Sequence, residues 1–279
     1  MAFAANNATS RHSTCRIMDV DMSRAGLLSQ TTTTAAADGV RQVSDEGTWT
    51  DEYLRNRFTQ LWRRCAIPRS SCDPDIAWSS LDGRYAESHR HYHDKRHLAH
   101  CLSEFDLAVE RIVRPDHVEM AIWFHDIINE PERSDNEARS AELFRNLAGG
   151  SMAESFIAEV VDLILVTTHR REPVDPDQMI LCDIDLASLG CPWECYLRDT
   201  GYLRAEFRGS DQDYCRIKRV FLESMLRRPR VFVTDFFYAR YEHLARENLR
   251  RFLDLIDVWE AAGSDGRKVP LLRTSGIEA

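Results

Sequence analysis

The sequence predicts an all-α protein. Apolar residues recur at three- and four-residue spacing through almost all of 47–262, and the cap-then-proline pairs Asp73-Pro74 and Asp175-Pro176 open two such stretches. No alternating apolar–polar run longer than about 5 residues is bounded by turn residues on both sides, so strands are not expected. Neither an internal repeat nor a Gly/Ser linker breaks 47–262, which is therefore expected to be one domain. Residues 1–46 hold NNATS, a TTTT run and few large apolar side chains, the composition of a disordered extension, and 263–279 reads as a tail.

The elements follow in order. Thr50 is the expected N-cap of a helix over Asp51–Arg64 with Leu54, Phe58, Leu61 and Trp62 on one face. Asp73-Pro74 starts the second helix, and one long helix is expected over Glu87–Val113. An apolar segment, Val118–Ile128, comes next, and Ser134 to Glu137 match a capping box before a helix carrying Ala138, Ala141, Phe144 and Leu147. Further helices are expected over Ala153–Thr168, from Asp175-Pro176 to Gly190, and over Pro192–Phe207, Asp211–Arg227 and Thr234–Trp259.

Composition narrows the function. The 279 residues are 43% hydrophobic and 29% charged, enough to build a substantial core, and no apolar run reaches the roughly 18–20 residues of a membrane span. The formal charge of −9 is the wrong sign for a nucleic-acid polymer binder that neutralises phosphates. Eight cysteines without a CxxC pair, in a chain too large to need disulfides, suit reduced thiols in a cytoplasmic protein.

Three groups of residues carry chemistry. Five of the ten histidines fall within GRYAESHRHYHDKRHLAH, and on a helix His89, His93, His97 and His100 would share a face while His91 points elsewhere. Imidazoles one turn apart can converge on one ion or substrate. Next, Glu119 to Asp126 (EMAIWFHD) ends a strongly apolar stretch in adjacent His125 and Asp126, where an inward Asp needs a counter-charge and a divalent metal supplies one. Finally, Asp183 and Asp185 stand on different faces of an apolar helical stretch, so at least one should point inward.

A His, then His-Asp, then a distant Asp, on separate helices, resembles the H…HD…D signature of the HD-domain metal-dependent phosphohydrolases. The blocks RYAESHRHYHDKRH, AIWFHDIINEPERSDNEARSAEL, LCDIDLASLG and EHLARENL resemble one HD-superfamily group in the same order, over roughly residues 47–258. The resemblance implies an HD-like helical bundle holding one or two divalent ions (Mn, Mg, Fe, Co, Ni or Zn). It implies His97, His125, Asp126 and Asp185 as ligands, with Asp185 favoured over Asp183 because relatives keep the aspartate in a D-L pair. His93 falls where related phosphodiesterases keep a proton-donating histidine.

The implied activity is hydrolysis of a small phosphorylated metabolite, a nucleotide or nucleotide-like phosphoester, by metal-activated water. Asp126 would help orient that water, Glu137 or Asp135 are candidate bases, and Arg84, Arg90 and Lys95 could meet phosphate charge. His169 is a candidate ligand, substrate contact or helix-end partner. Two other readings share these helices: a non-catalytic nucleotide sensor that keeps the site, and a di-iron oxygenase. The oxygenase needs two histidines between the doublet and the last aspartate, and only His169 lies there.

Overall fold

The structure, a computed structural model, describes residues 49–261 apart from 69, 71, 72 and 132. The expected extension over 1–46 and the tail over 263–279 lie outside the described residues. Within them the protein is all-α, and the only bridge of strand type joins Ala66 to Met152. No described helix is long and apolar enough to cross a membrane.

Local sequence starts most helices where expected. Helix α1 (Asp51–Cys65) is capped by the Thr50 hydroxyl, which accepts from the Tyr53 amide at 3.1 Å. Asp73 and Asp175 cap α2 (Pro74–Tyr85) and α7 (Pro176–Leu186), each with proline in the first turn. Ser210 caps α9 (Asp211–Arg227). Between these run α3 (Lys95–Ala108), α4 (Pro115–Phe124), α5 (Asn136–Ala148), α6 (Glu154–Val166) and α8 (Trp193–Glu206), and α10 (Asp235–Ala261) follows. Short 3-10 turns extend α3 over Val109–Arg111 and α7 over Ala187–Gly190.

Two expectations fail, each for a physical reason. The helix expected from Glu87 begins only at Lys95, because the chain over 87–94 serves other partners. The amides of His91, Tyr92 and His93 all donate to one Glu206 carboxylate oxygen at 2.8–2.9 Å, and Asp94 caps α3 by accepting from the Arg96 amide. His89, His93, His97 and His100 therefore do not form one helical row. The capping box at 134–137 does not form either. Helix α5 has Asp135 at its N-cap with no side-chain cap bond, since that carboxylate is held by Arg133 at 2.7 Å.

Helix α4 is the axis of the core. Val118 to Phe124 are all buried, and α1, α3, α5, α6 and α7 pack around them. Buried polar groups fix the register of the bundle. Arg57 of α1 reaches both Asp106 of α3 and Glu119 of α4 at 2.7–2.8 Å. Asp177 of α7 accepts from the amides of Val113 and Arg114 ahead of α4. Asp183, fully buried, accepts from the Val233 and Thr234 amides and the Thr234 hydroxyl, and so anchors the start of α10.

Gly190, where the 3-10 turn meets α10, is a point of close approach. A Cβ there would lie 2.5 Å from Tyr241 Cβ and 2.9 Å from the Tyr241 carbonyl oxygen, so backbone would have to shift. Gly190→Ala is expected to destabilise the fold by about 1–3 kcal/mol in urea denaturation. Gly83→Ala, at a helical position with nothing within 4 Å, should stabilise by about 0.5–1 kcal/mol.

Candidate metal centre

The site forms where three helix ends meet. His97 lies in the first turn of α3, His125 is the C-cap of α4 with Asp126 next to it, and Asp185 is in the last turn of α7. Ending α4 at this point exposes backbone carbonyls inside the protein, and Arg90 satisfies them. Its side chain is fully buried and donates to the Asp126 and Ile127 carbonyls at 2.7 and 2.8 Å, and to that of His93 at 2.8 Å. A cation at a helix C-terminus is favourable, and here it also ties the 87–94 segment to the His125-Asp126 pair. Tyr85 adds a bond from its hydroxyl to the Trp123 carbonyl.

The polar atoms converge. His125 Nε2 is 3.0 Å from Asp126 Oδ2 and 3.5 Å from Asp185 Oδ1, and His97 Nε2 is 3.4 and 3.5 Å from the same two oxygens. Both imidazoles are 2% exposed, whereas the two carboxylates, at 19% and 18%, form the open side. His125 Nδ1 donates to the Ile122 carbonyl at 2.9 Å, which turns Nε2 toward the cluster; Nε2 itself is buried and, beyond its contacts with the Asp126 and Asp185 carboxylates, has no other partner among the described residues. His169 Nε2 donates to Asp185 Oδ2 at 2.8 Å and leaves Oδ1 facing the other two imidazoles. His169 does this from the left-handed region at φ 52°, a conformation that costs free energy and that local function commonly retains.

Charge balance explains what such a group requires. Burial lowers the pKa of His97 and His125, but Cys101, Tyr92, Asp126 and Asp185 outweigh it at His97, and the two carboxylates outweigh it at His125, so both stand well above the usual imidazole value. Burial raises Asp126 and Asp185, and the surrounding histidines outweigh it and hold both well below the usual carboxylate value. Two protons thus neutralise two buried carboxylates. A divalent cation can replace both protons at once, with neutral imidazoles as ligands. The donor set, the buried Nε2 of His125 and the convergent oxygens all suit a metal. His97, Cys101, His125 and Asp185 form a group whose donor atoms lie within 4.8 Å of one another, and this group can hold a metal ion.

His93 flanks the cluster, its ring centroid 5.7 Å from that of His97. Its Nδ1 donates to Glu206 Oε2 at 2.6 Å, which leaves Nε2 as the working nitrogen. Glu206, at the end of α8, is held down to about 2: burial opposes this, and the His93 bond with the donated amides prevails. A separate cleft of about 490 Å³ is lined by His89, Glu130, Pro131, Arg133 and Arg208, none of which belongs to the cluster.

The other expected residues stand elsewhere. Arg90 is internal, its donors occupied by Glu87 and backbone carbonyls. Lys95 pairs with Asp51 and Asp82. Arg84 and Glu137 make no side-chain hydrogen bond or ion pair among the described residues, and Asp135 is paired with Arg133. Two members of the site escaped the sequence reading. Cys101 stands four residues after His97, one helical turn, which is a usable signal; Glu206, 113 residues from His93, leaves no local one. Searches against protein-family models, curated proteins and solved structures return no match to this chain.

The Glu206 carboxylate yields a pH prediction. Its folded pKa is about 2 against an ordinary 4.5, so its contribution is complete above pH 4.5 and is lost as the pH falls toward 2. Glu206→Gln should lower stability at pH 7 by about 1–3 kcal/mol and flatten the pH dependence of unfolding in that window. An unchanged acid limb would contradict the assignment.

Proposed function

We propose that the protein is a metal-dependent phosphohydrolase of the HD-superfamily type, acting on a small phosphorylated metabolite such as a nucleotide or nucleotide-like phosphoester. The observation that carries this reading is the convergence of the buried Nε2 atoms of His97 and His125 on the Asp126 and Asp185 carboxylates at 3.0–3.5 Å, with a carboxylate-paired histidine beside them. His97, His125, Asp126 and Asp185 would hold the ion, and a divalent metal supplies there an acidified water and a Lewis acid toward phosphorus.

The protein's own groups supply the rest. Asp126, on the open side, would help orient a water. Glu206 fixes the ring of His93 through Nδ1, so that Nε2 faces away from the carboxylate and is free to carry a proton to a departing oxygen. Buried His97 and His125 limit solvent to the carboxylate side.

The test is metal analysis of the purified protein followed by phosphate-release assays across nucleotides with Mn, Mg, Fe, Co, Ni and Zn. The double variant His125→Ala with Asp126→Ala should lose both metal and turnover; retained turnover would overturn the reading. His93→Ala should keep its metal while kcat falls by about 10²–10⁴-fold; loss of the metal instead would make His93 a ligand.

A further inference from the structure

We propose that Cys101 is a thiolate ligand of this centre, and that the site is therefore built for a thiophilic d-block cation (zinc, cobalt or ferrous iron) rather than magnesium or manganese. The inference rests on the metal-centre reading above, puts Cys101 in the ligand position given there to Asp126, and adds a metal class.

Three observations carry it. Cys101 is fully buried on α3 one turn after His97, and its Sγ lies 3.6 Å from His97 Nε2. Among the described residues its only hydrogen-bonding contacts are the His97 ring nitrogens, whereas buried Cys182 donates to the Val166 carbonyl in the ordinary way of a core thiol. The buried Nε2 of His125, which meets no hydrogen-bond geometry even with the carboxylates it faces, is aimed into the same space.

The separations also suit a tetrahedral ion. Ligand bonds of about 2.3 Å to sulfur and about 2.05 Å to nitrogen and oxygen give tetrahedral edges of about 3.6 Å between S and N and about 3.4 Å between N and O. The corresponding separations here are 3.6 Å for Cys101 to His97 and 3.5 Å for Asp185 to each imidazole. Asp126 then remains on the open side beside the ligand set, available to water or to a second ion. On binding, the Sγ–H bond breaks, an Sγ–metal bond forms and the proton leaves to water, with no change of oxidation state. A soft sulfur donor favours zinc, cobalt and iron over the hard, oxygen-seeking ions.

The experiment is a Co²⁺ titration of the full chain under reducing conditions, read by absorption. Wild type should show a near-ultraviolet sulfur-to-cobalt charge-transfer band together with visible d–d bands. Cys101→Ser should lose the charge-transfer band, keep the d–d bands and bind cobalt at least about tenfold more weakly, with manganese binding changing far less. A charge-transfer band that persists in Cys101→Ser, or bound cobalt without such a band in wild type, overturns the sulfur ligand. Cobalt binding unaffected by His125→Ala would instead overturn the centre itself. Should Cys101→Ser fail to fold, zinc-edge X-ray absorption of the wild-type protein decides: one sulfur at about 2.3 Å supports the proposal, and a shell of nitrogen and oxygen alone overturns it.

Discussion

Two carboxylates, Asp126 and Asp185, are carried to the end of an apolar bundle and there face two buried imidazoles. Isolated burial of either charge would cost several kcal/mol, so the arrangement persists only with positive charge in its midst. His97 and His125, both raised well above the usual imidazole value, supply it, and His125 Nε2 is turned toward the place a cation would take. The surrounding structure keeps these groups from moving apart.

That support comes from ends rather than middles of helices. Helix α4 stops where His125 and Asp126 begin, and Arg90 closes it by taking the carbonyls that a further turn would have used. The same guanidinium binds the His93 carbonyl, and Glu206 gathers the amides of 91–93 while holding the His93 ring. Three distant segments are thereby fixed relative to one another through polar atoms with few alternative partners. His169, held in a left-handed conformation, keeps Asp185 in the orientation that points Oδ1 inward.

Much of the fold was legible in the sequence because local chemistry decides it. Thr50, Asp73, Asp175 and Ser210 accept amide hydrogens at the start of the next helix, and proline at the first turn enforces two of those starts. The apolar neighbours of Asp183 and Asp185 require an inward side chain of at least one; in fact both point inward, to different ends: one anchors α10 and the other faces the imidazoles. The errors arise where distant partners override local preference. Glu206 draws the 91–93 backbone out of a helix that the local pattern favours, and Arg133 removes Asp135 from its capping role. Arg90 looks like a surface cation in the sequence, yet it is buried because helix-end carbonyls far along the chain need its donors. No local pattern encodes such dependence; only the folded arrangement brings the partners together.

Anomalous diffraction from crystals of the full chain grown with zinc or cobalt, collected on both sides of the absorption edge, probes the centre most directly. The expected result is a peak within about 2.0–2.3 Å of His97 Nε2, His125 Nε2 and an Asp185 oxygen. An empty position between these atoms, with His125 Nε2 turned to another partner and the ion bound elsewhere, would contradict a metal centre in this protein.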